Sequence, residues 1–445
     1  MPEAKAQTTK DQRTGAALLR RFRNRKWPLV AMVAYLAVGM TFSFTWEHLV
    51  YSSNSWAIPG DIWSTWRAAH WIGWGALGGV YGSDTQLVSF PGIALILAPL
   101  AMISNHLSLS ESIDPIFVAT PSSWYLLGPA IMLLGSSCLL AFDALAELLG
   151  TSRNRRIALC WVEAILLFQV VVIWGHPEDL LALGLALYGF IAVAKERSAA
   201  AGWLWGSAVA VQPLALLLFP LQFLRVPKAD RLKICLLAVL PSLILVGTPL
   251  LSQWKQTSKV LFHQANFPTV DHATPWIALS PRYSNVAVGA GPGRLLALAV
   301  SVGLAVVAWR LRPSMVGLLW LGAVALSARC FFESVMDPFY LGPPLAMIVL
   351  AASVRPRWTR LATAVAVAMA ATAFSFRHLS EWGYWLPMVA FLALGLALAW
   401  PGRASLGLSL RSLALPDHVE VSDHMGTPDL TKVLTDDRIL GQPAG

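Results

Sequence analysis

The chain has little charge. Only 13% of its 445 residues are Asp, Glu, Lys or Arg, while 56% are hydrophobic, and mean hydropathy is +0.59. A soluble domain carries about 25% charged residues. Half that level leaves too little polar material for a water-facing coat, and intrinsic disorder needs the opposite composition. Cysteine is also scarce. Cys138, Cys160, Cys235 and Cys330 show no CxxC spacing. They offer no disulfide framework, and their place in or at the end of apolar runs predicts buried small hydrophobes. Three further signals are missing: the period-two alternation of barrel strands, a small-residue cleavage site after the first apolar run, and a convincing internal repeat. What is left is a polytopic membrane protein whose spans satisfy their backbone hydrogen bonds as helices.

Apolar runs fall at about 27–46, 88–104, 123–149, 157–175, 179–194, 201–224, 233–251, 294–309, 314–328, 338–353, 359–375 and 384–400. They predict an all-α fold of roughly 10–12 transmembrane helices. Residues 1–26 hold eight Lys or Arg against Glu3 and Asp11. A basic segment before the first span marks the cytoplasmic side, so topology accounts for this charge and a nucleic-acid arm is not needed. The connectors around Arg153–Arg156, Lys195–Arg197, Arg225–Lys233, Arg310–Arg312 and Arg355–Arg360 read as cytoplasmic by the same rule. Loops 47–87, 252–293 and 376–383 then read as external.

Two places resist strict alternation. The clusters at 195–197 and 225–233 both belong inside, yet one run separates them. Gln212–Pro213 bisects that run, which predicts a hairpin of two half-helices. Runs 88–104 and 123–149 need an odd number of crossings, so one of them is expected to re-enter, or 105–122 to hide a crossing. Organisation is expected as a basic cytoplasmic N-terminus at 1–26, a membrane domain at 27–400 and a flexible cytoplasmic tail at 401–445. Both termini are placed in the cytoplasm of a multi-pass plasma-membrane protein.

Chemistry is expected at four places. In the first external loop, Trp63, Trp66, Arg67, His70, Trp71 and Trp74 follow Asp61 at spacings that predict an interfacial amphipathic helix. Asp61 after Pro59-Gly60 also suits an N-cap. At the junction of two runs, His176, Glu178 and Asp179 lie around Pro177, either as a functional cluster at membrane depth or as first-turn capping chemistry. Their spacing is not diagnostic of a metal set. The third place holds Arg329, Glu333, Asp337 and Tyr340, and the fourth is the loop with Lys255, Lys259, His263, His272, Arg282 and Tyr283. Such cations bind a phosphate headgroup or merely a lipid surface.

These residues, in order, resemble a family. Asp61-x4-Trp66-x-Ala68-Ala69, then Gly79-Val80-Tyr81, then Phe90-Pro91-Gly92 before an apolar helix with Ala98-Pro99-Leu100, are similar to the start of the polyprenyl-phosphomannose-dependent mannosyltransferases of actinobacterial cell envelopes, which are C-type (GT-C) integral-membrane glycosyltransferases. That family reads Tyr where Trp66 stands and Tyr-Pro-Pro where Phe90-Pro91-Gly92 stands. Gly175-His176-Pro177-Glu178 resembles its Gly-Gln-x-Asn junction. Ala201-Gly202-x3-Gly206-x5-Gln212-Pro213 resembles its Ala-Gly-x3-Gly-x5-Lys hairpin, with Gln212 in place of the Lys.

The resemblance implies a GT-C-like fold and an inverting glycosyltransferase, a hexosyltransferase that moves mannose from a polyprenyl-phosphate donor to an envelope glycolipid or glycan on the outer face. Asp61 takes the place of the general base. Arg67, His176, Glu178, Lys255, His263, Arg282, Arg329, Glu333 and Tyr340 are the candidates for donor-phosphate or acceptor binding. No metal or cofactor is expected, and the partners are the donor, the acceptor and the bilayer. The alternative is a transporter or flippase of lipid-linked or small polar solutes, which predicts paired broken helices; one break is apparent. A non-enzymatic scaffold is a third reading, in which the ionisable residues are caps only.

Overall fold

The computed structural model describes residues 25–51, 58–82, 85, 87–109, 122–268, 272–375 and 380–408. The expected basic N-terminus and C-terminal tail therefore lie almost wholly outside the described residues. Helix α1 (Lys26–Tyr51) precedes α2 (Ile62–Gly73) and α3 (Gly92–His106). Then α4 (Trp124–Ser136) runs almost directly into α5 (Cys138–Leu148), followed by α6 (Arg153–Phe168), α7 (Pro177–Ala194), α8 (Ser198–Val211) and the short α9 (Phe219–Phe223). After α10 (Arg231–Ser252) come α11 (Trp254–Phe262), β1 (His272–Ala273), α12 (Gly293–Leu311) and α13 (Met315–Phe332). The remaining elements are β2 (Val335–Met336), α14 (Gly342–Ala352), α15 (Pro356–Ser375) and α16 (Glu381–Leu398).

The protein is an all-helical polytopic membrane protein. Among the described residues, eight helical segments are long and apolar enough to cross a membrane. They are 26–45, 124–148, 153–173, 177–194, 228–252, 293–311, 315–332 and 381–398. Segments 92–106, 198–211 and 338–352 are apolar but shorter. Ala- and Leu-rich runs give these helices, since lipid leaves no other partner for their backbone groups. Every residue of α14 is buried, as is most of α7, so these two form the centre. In contrast, α10 and α12 present Leu236, Val239, Leu243, Leu295, Val302 and Val306 outward.

Side-chain contacts sort the connectors onto two ends. Arg25 pairs with Asp143 and Glu147, and Arg156 donates to both oxygens of Asp143 at 2.8 Å. Arg155 donates to the carbonyls of Ser353 and Val354 at 3.2 and 2.8 Å. Ser198 donates to Asp230 at 2.6 Å, which brings the 195–197 and 225–233 clusters to one end. The expected hairpin is thus present: α8 ascends, Gln212 is extended at φ −150°, ψ 119°, and Pro213–Leu217 with α9 return. Arg355 joins the same end through the carbonyl of Trp400 at 2.9 Å. We refer to this as the basic end.

The opposite end carries Asp61, His176, the loop after α10 and Glu333. The odd-crossing problem is solved by α3, which packs along α2. A Cβ on Gly73 would lie 2.9 Å from Met102, and one on Gly92 only 2.3 Å from the carbonyl of Ala210 beside Gln212. Both ends of α3 are thereby tied to this second end, while α4 and α5 cross from it to the basic end. In the Trp-rich α2, protein covers much of the apolar face. Trp63 and Trp66 are buried and Trp63 packs on Trp124 at 6.4 Å; Trp74 alone of the four is strongly exposed, at 65%. Periodicity shows which face is apolar but not whether lipid or protein covers it. Cys138, Cys160 and Cys330 are buried, as expected, and Cys235 is half-buried.

Candidate functional site

The site begins with an irregularity. The last turn of the α6 span, Gln169–Ile173, widens into a π-turn, a feature frequent at functional sites. Gly175 then reverses the chain at φ +74°. Its N–H donates to the carbonyl of Val171 at 3.0 Å and that of His176 to Val170 at 2.9 Å. Only glycine fits here, because φ is positive and a Cβ would lie 2.9 Å from Pro59, two residues before Asp61. Gly175→Ala should therefore part the two loops. Backbone strain of about 1–3 kcal/mol is expected, read as a lower melting temperature of the detergent-solubilised protein. An unchanged melting temperature would show the turn to be adaptable.

The reversal places His176 between two carboxylates. Its Nε2 lies 3.1 Å from Asp61 Oδ2 and its Nδ1 2.8 Å from Glu178 Oε1. With an acceptor at each nitrogen, the imidazole must donate from both, so it is the imidazolium. Burial alone would lower its pKa. The charge of Glu178, the hydrogen bonds to Asp61 and Glu178 and the charge of Asp179 outweigh that, and His176 titrates well above its ordinary 6.5. Its stabilising contribution is therefore complete below pH 6.5 and lost as pH rises through the higher folded value. The melting-temperature gap between the wild type and His176→Asn should be widest in acid buffer and narrow in alkali. A gap independent of pH would contradict the charged state.

Neither carboxylate acts as a simple helix cap. Asp61 stands at the N-cap of α2 but makes no side-chain cap hydrogen bond. Its side chain is 60% exposed, against 15% for His176 and 5% for Glu178. Pro177 does occupy the first turn of α7 with Glu178 and Asp179 behind it. Yet Glu178 turns to His176, and Asp179 accepts from Gln212 Nε2 at 2.6 Å. The broken helix and the acidic junction are thus one unit.

Aromatic contacts join this group to a second one. His176 stacks on Phe339 with ring centroids 3.8 Å apart. Phe339 packs edge-on against Tyr340 at 4.5 Å, and the Arg329 guanidinium lies 3.9 Å over the Tyr340 ring. Arg329 Nε and Arg294 Nε flank the buried Glu333 at 3.6 and 3.5 Å. Arg294 also donates to Gln264 at 2.9 Å. The segment is fixed by β1–β2 pairing, His272 with Met336 and Ala273 with Val335, and by Thr274 donating to the carbonyl of Glu333 at 2.5 Å. A Cβ on Gly293 would meet the carbonyl of Phe332 at 1.9 Å, so this glycine lets Arg294 approach.

Of the expected site residues, the structure brings together Asp61, His176, Glu178, Arg329, Glu333 and Tyr340. It does not bring in Arg67, Lys255, His263 or Arg282. Arg67 Nε is buried without a hydrogen-bond partner, and the other three are exposed, with His263 beside Tyr283 at 6.5 Å. Arg294, Phe339 and Gln212 are members that sequence reasoning did not select; a cation at the start of a span opposite the basic end was the available signal for Arg294. A gap of about 10 Å³, room for a single water, lies beside Asp179 and is otherwise lined by Ala182, Leu183, Leu214, Ala215, Leu218, Leu326 and Pro343. Asp61 and Glu333 do not line it. Among the described residues no cluster of three His, Cys, Asp or Glu is arranged to hold a metal ion. No known protein family matches the chain, and no curated protein matches it.

Proposed function

We propose that the protein is a GT-C-type glycosyltransferase that moves a sugar, mannose by resemblance, from a polyprenyl-phosphate donor to an envelope glycolipid or glycan. The observation that carries the reading is the continuous contact from the exposed Asp61 carboxylate through His176, Phe339 and Tyr340 to Arg329 at one end of the bundle. A base and a cation are what this displacement needs. The acceptor oxygen bonds to the anomeric carbon as the bond from that carbon to the phosphate oxygen breaks, and the configuration inverts. The acceptor proton passes to Asp61, and the electron pair leaves with the polyprenyl phosphate.

The imidazolium of His176 holds Asp61 Oδ2, leaving the second oxygen to face the acceptor. Charge growing on the leaving phosphate is met by Arg329 and Arg294, whose hold on Glu333 is looser than a hydrogen bond. Such aimed charge is the larger part of catalysis in many enzymes. The basic end is the cytoplasmic one in this reading, and the reaction faces outward at the plasma membrane. Membranes containing the protein, incubated with labelled polyprenyl-phosphate mannose or arabinose, should yield a labelled glycolipid or glycan. Absence of product with every such donor, alongside transport of a lipid-linked or polar solute, would replace this reading with a transporter.

A further inference from the structure

The loop after α10 carries Lys255, Lys259 and Arg282, with Asp271 its single acidic residue. Loops opposite the basic connectors are normally poor in Lys and Arg, so these cations have a purpose other than topology. Neither lysine has an ion pair among the described residues, and both are exposed. They sit four residues apart on one face of α11. Next to them on the outward face are Trp254, 61% exposed, and Phe262, 71% exposed. Thr257 is buried on the opposite face and donates to the carbonyl of Pro249 at 3.0 Å. Gln253, at φ −138° and ψ 59°, breaks the axis between α10 and α11. Leu251, the last apolar residue before this break, is 91% exposed. The α11 helix is thus anchored by one face at the mouth of a span and shows aromatic and lysine edges outward, the pattern of an interfacial helix.

We propose that α11 lies in the membrane interface and that Lys255 and Lys259 bind the phosphates of anionic phospholipid in the leaflet at the site end. The inference rests on the polytopic fold and is independent of the transfer reaction. The test uses the full chain with Cys235→Ala, leaving the buried cysteines unreactive, and a spin label at Trp254→Cys or, separately, Phe262→Cys. Nanodiscs contain phosphatidylcholine alone or with phosphatidylglycerol. Both labels should relax with oxygen and be shielded from a water-soluble nickel chelate. Lys255→Glu with Lys259→Glu should cut the phosphatidylglycerol retained by the purified protein about five-fold per lysine and leave phosphatidylcholine unchanged. Free access of the nickel chelate at both labels would overturn the proposal. So would unchanged phosphatidylglycerol retention in the charge-reversed variant, or its displacement by inorganic phosphate.

Discussion

Asp61→Asn should lower sugar transfer roughly 10²–10⁴-fold, the range a positioned general base supplies, without lowering the amount of folded protein. Asparagine is the informative change. Its amide oxygen can still accept from His176 Nε2, which now lies 3.1 Å from Asp61 Oδ2, so the histidine keeps a partner and only the proton acceptor is lost. The structural cost is small, because the Asp61 side chain is 60% exposed and makes no cap hydrogen bond; exposed substitutions of this kind usually stay within about 0.5 kcal/mol. Asp61→Glu retains the carboxylate one methylene too far out and should fall between wild type and Asp61→Asn. The measurement is initial rate of product formation from labelled polyprenyl-phosphate sugar in membranes matched for protein. Wild-type rates in Asp61→Asn would remove Asp61 as the base.

Much of the frame was legible because it depends on local composition. Low charge, apolar runs and basic connectors were enough for a helical polytopic protein with its basic connectors at one end. The Gln212–Pro213 break was legible because proline stops a helix and the two flanking charge clusters demanded one side. The parity problem at 88–104 was visible, although its solution, α3 packed on α2, depends on the absence of side chains at Gly73 and Gly92. Sequence distance hid the rest. Asp61 and His176 are 115 positions apart, and no local pattern says that the Gly175 turn is built to receive Pro59.

The capping interpretation holds for the placement of Pro177, Glu178 and Asp179 in the first turn of α7, but it does not account for the side-chain partners, and Asp61 makes no cap hydrogen bond. Position in a first turn is read locally; Glu178 finds a local partner in His176, two residues back, but Asp61 and Asp179 are taken by distant ones, His176 and Gln212. Gln212 in place of the resembled Lys takes on meaning in the same way. A neutral donor satisfies one Asp179 oxygen without placing a further cation near Arg329. The four cations expected from loops and from α2 were chosen by type alone. Of the candidate cations, the two that joined the site, His176 and Arg329, are held by a helix end and by an aromatic ring.

Glu333→Gln should be the most destabilising single change in the second group, by about 3–5 kcal/mol, the usual cost of breaking a buried ion pair. Glu333 is 1% exposed on its side chain and stands between Arg329, at 17%, and Arg294, at 37%. Without its charge the two guanidiniums face each other across a neutral amide. Arg329 would keep the Tyr340 ring, worth about 2 kcal/mol when desolvated, which is less than the ion pair it loses. Arg294, being more exposed, can turn to solvent, so the lower part of the range is expected. The second substitution decides the cause. Removing the more exposed cation as well, in Arg294→Gln with Glu333→Gln, should recover part of the lost melting temperature, a non-additivity of 0.5–3 kcal/mol on the scale of directly interacting residues. Purely additive losses would mean that Glu333 is held by its backbone, through Thr274 and the β1–β2 pairing, rather than by the two arginines.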